Sequence, residues 1–434
     1  MDYFDILFNL GFIGFIIYFI PIIYIFYKLF SEEKKFNYNN LIINISIFLI
    51  IILSFFTGHI ITSPTVSIYA CLIIIISFNK KGRVLITSNS LCIGGIEISL
   101  VNLLNNFNYD KYDVDLVLEK KEGILLNKIN NNVNIYEYKL SYNKFIIFRK
   151  IINYIKRILF NIYKSNTYDF SCSYATYSKI GGKLALYSSI NSSIYIHSSY
   201  QYLYNDDEYM SFFDKRDIRD YKNIFFVSGD SLDYFKKMYN NLEDRLILMN
   251  NFIDIDNILE KSKEKINYKK DKLLFCFVGR LDDSSKKLER LFKIIKEIDS
   301  KLLVIGDGCD KDRYIKYVSS NNLDKRIEFL GEKDNPYPYI NLCDYLILVS
   351  EYEGFPVVFL EGILLNKMII STIDVWDEYI KLSDYGYIIS KDDSNIKEVK
   401  NIISKGIKKY KEVDFYKLQK DRMKRLENII DNNI

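Results

Sequence analysis

The chain has 434 residues, room for several domains at roughly 100–200 residues each, which excludes a single small module. It is 49% hydrophobic and 26% charged, an ordinary globular balance that excludes a disordered or fibrous protein. Lys+Arg 59 against Asp+Glu 55 leaves +4, too weak a surplus for a nucleic-acid-binding face.

The first elements are apolar. Phe4 to Tyr27, Leu41 to Thr57 and Val66 to Phe78 are runs of nearly uninterrupted hydrophobic residues. A membrane-crossing helix needs about 20, so the first run qualifies easily, the second barely, and the third only if His59 to Thr65 contributes part of its length. A cleaved leader would begin with a basic stretch, whereas Asp2 and Asp5 stand here. Lys28, Lys34 and Lys35 follow the first run and Lys80, Lys81 and Arg83 the third, while Gly58 to Thr65 has neither Lys nor Arg. Positive residues stay on the cytoplasmic side, so the pattern predicts a multi-pass anchor over residues 1–82 in the inner (cytoplasmic) membrane. It has about three spans and puts everything after Lys81 in the cytoplasm. The six cysteines (Cys71, Cys92, Cys172, Cys276, Cys309, Cys343) stand singly without a CxxC pair, which fits that reducing compartment.

From Arg83 the pattern changes to short β-branched or aromatic runs alternating with amphipathic stretches. Val84–Thr87, Asp113–Leu118, Val133–Tyr138, Asp169–Cys172, Ser193–His197, Ile224–Val227 and Leu246–Met249 are predicted strands. Ile96–Leu104 and Lys144–Tyr163 are among the predicted helices between them. The alternation restarts at Leu273–Val278 and continues through Leu302–Ile305, Ile327–Leu330, Tyr345–Val349, Met368–Ser371 and Tyr387–Ile389. Alternating strands and helices imply parallel sheets covered on both faces. The polar stretch Glu260–Lys272 divides two sets, which gives an α/β chain with two Rossmann-like doubly wound domains, 83–252 and 253–434, facing a cleft. Ligands in such folds bind beyond the carboxyl ends of the strands.

Candidate chemistry sits at those ends. Gly94 and Gly95, between the first strand and its helix, free backbone amides to approach an anion at a helix N-terminus. The full GxGxxG of a dinucleotide site is absent. His197 ends an N-domain strand. Gly279 and Arg280 end the first strand of the second half, with Lys286 and Lys287 just beyond. A planar guanidinium fork and a mobile ammonium together suit a diphosphate. In Ser350–Glu361, Glu353 lies in the loop and Glu361 eight positions on, just over two helical turns. Gly354 and Phe355 offer amides at that helix start, and a carboxylate there accepts from sugar hydroxyls. Two histidines in the chain, His59 and His197, cannot build a multi-histidine metal site. The DxD pairs Asp113/Asp115 and Asp254/Asp256 fall in a strand and in the interdomain turn, where a structural role fits better. No metal is expected.

The order GGIE (Gly94–Glu97), NFID (Asn251–Asp254), VGRL (Val278–Leu281), IGDG (Ile305–Gly308), FLGE (Phe329–Glu332) and EGFPVVFLE (Glu353–Glu361) resembles the family-four retaining glycosyltransferases (glycosyl transferases group 1) of the GT-B fold. The resemblance implies a UDP-, GDP- or other nucleotide-linked sugar as donor and no cofactor. Arg280 and Lys286 would contact the diphosphate, with Lys287 an alternative because Arg280 and Lys286 are one residue further apart than in the family. Glu361 would hold the ribose, and Glu353 with Gly354 and Phe355 the transferred sugar. Gly94 and Gly95 would close over the phosphates, and His197 would face the acceptor. A second histidine that many members carry is missing around Tyr168–Tyr177. The family's Ala and Gly-x-Pro are Gly362 and Asn366-Lys367-Met368 here.

The expectation is a membrane-anchored enzyme that moves a sugar to a glycan or lipid-linked acceptor at the inner leaflet, as in polysaccharide assembly of the cell envelope. A nucleotide-sugar epimerase of the same architecture and a non-catalytic membrane scaffold are the alternatives.

Overall fold

The computed structural model describes residues 81–138, 146–164, 167–406 and 412–431. The three predicted membrane spans lie outside the described residues. Among the described residues no helix is long and apolar enough to cross a membrane.

Two parallel sheets carry the fold. The first holds β1 (Gly82–Ser88), β2 (Tyr112–Leu118), β3 (Asn134–Glu137), β4 (Phe170–Ser173), β5 (Ser192–Ile196), β6 (Asn223–Phe226) and β7 (Leu246–Leu248), in the order β3-β2-β1-β4-β5-β6-β7. The second holds β8 (Leu273–Val278), β9 (Ser300–Ile305), β10 (Ile327–Gly331), β11 (Tyr345–Leu348), β12 (Met368–Ser371) and β13 (Gly386–Ile388), in the order β10-β9-β8-β11-β12-β13. Every predicted strand is present, its ends within two residues of the reading above.

These strands are covered on both faces, and their sequences show it as unbroken apolar runs rather than alternation. In β1, Val84 and Ile86 enter the main core, while Leu85 points the other way into a small core with Val117, Tyr168 and Leu184. The strand order reverses between β1 and β4 and again between β8 and β11. Such reversals splay the flanking helices apart, and the crevice that opens there is where this architecture binds ligands.

The helix Phe415–Asp431 returns from the second sheet to the first. Tyr112 Oη donates to Asp431 at 2.8 Å, and Asn191 Nδ2 donates to the Ile429 carbonyl at 2.9 Å. Midway, Arg422 is buried, paired with Asp377 at 2.5 Å, and donates to the Asn251 carbonyl at 3.0 Å. This crossing ties the two halves of the fold together.

The turn that departs from Gly-x-Pro closes without those residues. Asn366 takes a left-handed φ of 55°, which asparagine tolerates better than most residues, and the Lys367 amide donates to the Gly362 carbonyl at 2.9 Å.

Candidate active site

A cavity of about 750 Å³ lies between the carboxyl ends of the two sheets. Gly94, Gly95, His197, Gly279, Arg280, Lys286, Glu353, Gly354, Phe355 and Glu361 all line it. Residues that the sequence placed at separate strand ends therefore share one space.

Two helix N-termini converge there. The helix Gly95–Asn105 starts at the glycine pair, and the helix Val357–Leu364 starts just after the Glu353 loop. A Cβ built on Gly95 would lie 4.0 Å from Val357 Cγ2, so the two first turns are neighbours across the cleft. Unpaired amides and the positive ends of both helix dipoles then act on the same volume, which favours an anion.

Arg280 is exposed at the end of β8. The strand can turn there because Gly306, at φ 134°, lets the next loop approach. A Cβ at Gly306 would lie 2.0 Å from the Gly279 carbonyl oxygen. Burial raises the Glu97 carboxyl above its ordinary pKa, while the Tyr177 hydroxyl at 3.0 Å and the Arg280 charge act in the opposite direction. Glu97 thus brings an N-domain carboxyl within the field of the C-domain arginine.

Lys286 is paired with Glu353 Oε1, which also accepts from Ser350 Oγ at 2.6 Å. Both charged side chains are mostly shielded from solvent. Lys287 was read as a donor-binding alternative. It holds a left-handed φ of 48° before the helix Leu288–Glu297, pairs with Asp283 at 3.5 Å, and does not line the cavity. Lys286, its neighbour, does line it.

The Glu353 loop leans on the first domain. A Cβ at Gly354 would lie 2.0 Å from the His197 carbonyl oxygen, and Ser199 Oγ donates to the Glu353 carbonyl. Asn251 Nδ2 donates to the Phe355 carbonyl at 2.8 Å. His197 is half-buried with its Nε2 shielded from solvent, its ring 4.6 Å from that of Tyr174 and 4.9 Å from that of Tyr195. Burial pushes its pKa down to about 3 against smaller raising effects of Asn251 and the Tyr174 backbone, so the imidazole is neutral at physiological pH. Its Nε2 has no hydrogen-bond partner among the described residues. Tyr174 lies in the stretch where the second histidine is missing.

Glu361 is buried at the inner wall. Burial lifts its pKa to about 7, and the Tyr337 hydroxyl donates to it at 3.3 Å. Tyr337, Asn251, Ser199 and Ser350 are site residues that the sequence did not single out.

The two DxD pairs serve structure. Asp115 accepts from Tyr168 Oη at 2.6 Å and Asn134 Nδ2 at 2.9 Å, while Asp113 is exposed near the start of the same strand. Asp254 caps the helix Ile255–Lys261, and Asp256 accepts from Tyr416 Oη at 2.5 Å. Among the described residues, Asp282, Cys309 and Asp310 bring three ligand-type atoms within 4.8 Å of one another.

Residues 259–420 match the family described as glycosyl transferases group 1, and residues 1–79 match that described as O-antigen ligase like membrane protein. An N-acetylgalactosamine-N,N'-diacetylbacillosaminyl-diphospho-undecaprenol 4-alpha-N-acetylgalactosaminyltransferase of Campylobacter jejuni is 33% identical over 127 residues, 29% of this chain and 34% of that protein. The chain thus spans about a third of the length of the curated relatives it matches. The lipopolysaccharide outer core galactosyltransferase WaaB is similar in structure, with TM-score 0.57, 17% identity, and coverage of 81% of this chain and all (100%) of that one. Anabaena Alr3699/HepE, solved in complex with UDP-glucose, is similar at TM-score 0.57 and 14% identity over 74% of this chain and 89% of that one. The architecture is α/β of the GT-B kind, and its second half carries a glycosyl transferases group 1 domain.

Proposed function

We propose that the protein is a membrane-anchored glycosyltransferase that takes a sugar from a nucleoside diphosphate donor and passes it, with retention of anomeric configuration, to a glycan or lipid-linked acceptor at the inner leaflet. The observation that carries this reading is the convergence of Arg280, Lys286 and two helix N-termini on one cavity with a deep carboxyl at Glu361 and a loop carboxyl at Glu353. The first set suits a diphosphate and the second suits hydroxyl groups. The named activities of the relatives and the UDP-glucose bound by HepE support it. The match of residues 1–79 and the uneven Lys and Arg distribution support the anchor and a cytoplasmic catalytic part.

In this reading the ribose hydroxyls donate to Glu361, and the diphosphate lies against Arg280, Lys286 and the amides at Gly94 and Gly95. Glu353 and the amides of Gly354 and Phe355 orient the sugar. The bond from the anomeric carbon to the leaving phosphate oxygen breaks as the acceptor oxygen bonds on the same face. The acceptor proton passes to the departing phosphate oxygen. Charge stabilisation and positioning supply the acceleration, and no cofactor or metal is required. His197 stays neutral and holds the wall against which the Glu353 loop rests.

The test is to screen the full chain in detergent against nucleotide sugars by thermal shift. The stabilising donor is then turned over in chelator, and the first-formed product is read by NMR. A retained anomer is expected. An inverted anomer, dependence on added manganese, or donor interconversion without acceptor would overturn the corresponding part.

A further inference from the structure

We infer that Ser199 is a positioning residue for the proposed transfer. A one-way chain of buried hydroxyls, from Ser228 to Ser231 to Ser199, ends on the Glu353 carbonyl and strengthens the Gly354 amide as a donor to the transferred sugar. The inference rests on the placement of that sugar at Gly354 in the proposed function.

The direction of the chain follows from the protons available. Ser199 Oγ donates to the Glu353 carbonyl, which can only accept. A hydroxyl has one proton, so in the 2.9 Å contact between Ser199 Oγ and Ser231 Oγ the donor is Ser231. The proton of Ser231 is then committed, and Ser228 Oγ donates to Ser231 Oγ at 3.1 Å. Ser199 and Ser228 are fully buried and Ser231 is 2% exposed, so bulk water is kept from every link. Hydrogen bonds that run head to tail in such an interior polarise one another.

The chain acts on a peptide whose other end faces the cavity. A hydrogen bond accepted by a peptide carbonyl draws electron density from the nitrogen and makes the N–H of that peptide a stronger donor, because the unit shares one resonance system. The Glu353 carbonyl and the Gly354 amide belong to one such unit. Gly354 lines the cavity, and its amide has no hydrogen-bond partner among the described residues. By contrast, the Phe355 carbonyl that accepts from Asn251 shares its peptide with Pro356, which has no N–H to strengthen. The Glu353 carboxyl is fixed separately, by Lys286 and by Ser350 Oγ at 2.6 Å, and Thr372 Oγ1 donates to the Ser350 carbonyl at 2.6 Å. Removal of Ser199 therefore leaves the carboxyl held and changes the peptide.

The test uses the full chain in detergent, with UDP and GDP as sugar-free probes and UDP-glucose and GDP-mannose as donors hydrolysed by water. Ser199→Ala should slow turnover of the cleaved donor roughly tenfold, below the ~10²–10³-fold loss for a directly contacting donor group. Affinity for UDP or GDP should not change. Ser231→Ala should slow turnover about two- to threefold and Ser228→Ala less, because each leaves the next hydroxyl in place. Ser231→Thr keeps a hydroxyl and should recover the loss seen in Ser231→Ala. NMR of chains carrying carbonyl-¹³C glutamate and ¹⁵N glycine reads the Glu353–Gly354 peptide, assigned by its disappearance in Glu353→Gln. Its ¹³C and ¹⁵N resonances should both move upfield in Ser199→Ala. The sole tryptophan, Trp376, packs on Gly229 beside Ser228 and accepts from the Gly229 amide at 2.8 Å, so its emission reads whether the domains stay docked. Unmoved resonances would overturn the inference, as would equal losses in the three alanine variants accompanied by shifted Trp376 emission. Cleavage of neither nucleotide sugar, with no binding of UDP or GDP, would instead overturn the nucleotide-sugar reading, and the resonances would still decide the chain.

Discussion

Asn251 binds Phe355 across the domain boundary: its Nδ2 donates to the Phe355 carbonyl at 2.8 Å, while its Oδ1 accepts from Ser99 Oγ at 2.9 Å. Ser99 belongs to the helix that begins at Gly95, and Phe355 to the loop that carries Glu353, so one buried amide ties both sides of the cavity. Asn251→Ala would strand the buried Phe355 carbonyl, while Ser99 Oγ keeps its 2.7 Å contact with Tyr174 Oη. That costs about 1–3 kcal/mol per unpaired group and loosens the loop. Asn251→Asp keeps the acceptor for Ser99 but cannot donate to Phe355. Both should lower Tm and weaken donor binding in thermal melts and calorimetry. An unchanged Tm in both would show that the loop is held by other contacts.

The Lys286–Glu353 pair separates binding from turnover. Lys286→Met should weaken donor binding, because a phosphate contact is lost. Glu353→Gln keeps the Ser350 and Lys286 contacts as weaker hydrogen bonds and should retain most nucleotide affinity. Its turnover should fall by about 10²–10⁴-fold, the range for a positioned catalytic group. Calorimetric affinity and single-turnover rates measured on the two variants check this. Equal losses of affinity in both would remove Glu353 from the sugar side.

How much of this was legible in sequence depends on what is local. β8, Leu273–Val278, is a continuous apolar run because both its faces are covered, and such runs are visible without a structure. The glycine pair at 94–95 and the loop from Glu353 follow strands directly, so their position at the cleft follows from topology. Tyr337 was not legible. It starts a short helix before β11 and meets Glu361 only through the tertiary fold. Asn251 stood within a quoted motif, yet its bond to Phe355 spans 104 residues. That Lys286 rather than Lys287 lines the cavity was not legible either, since adjacent lysines in a loop look alike in sequence.

Arg280 offers a direct measure of the diphosphate assignment. It is exposed in the cavity and outside the apolar core, so Arg280→Ala should leave the fold intact. Removal of a charged partner from a shielded anion site typically costs about 2–5 kcal/mol. Because the cleft is open, the lower end is expected, roughly 30-fold in nucleoside diphosphate affinity. Affinity for the free nucleoside should hardly change. A loss for nucleoside and diphosphate alike would mean that Arg280 supports the cleft rather than the phosphates.

Glu361 gives a pH signature with a definite sign. Burial raises its pKa from 4.5 to about 7, so the folded chain holds this proton more tightly than the unfolded chain does. Stability from the group is therefore full below pH 4.5, falls as pH rises through the interval up to about 7, and is flat above it. The shift corresponds to about 3 kcal/mol, an upper value because relaxation of the site would reduce it. Glu361→Gln removes the ionisation while leaving an oxygen for Tyr337. Its stability relative to the parent should grow across the same interval and level off near neutrality, as read from denaturant melts at stepped pH. The same substitution should weaken donor binding, since an amide accepts less strongly than a carboxylate from two ribose hydroxyls. Binding of the nucleotide to the parent at pH 6 should release protons, because the hydroxyls favour the ionised carboxyl. Calorimetry in buffers of different ionisation enthalpy reads that release, and it should vanish in Glu361→Gln. Proton uptake instead of release would place the ribose elsewhere and leave Glu361 as a buried structural acid.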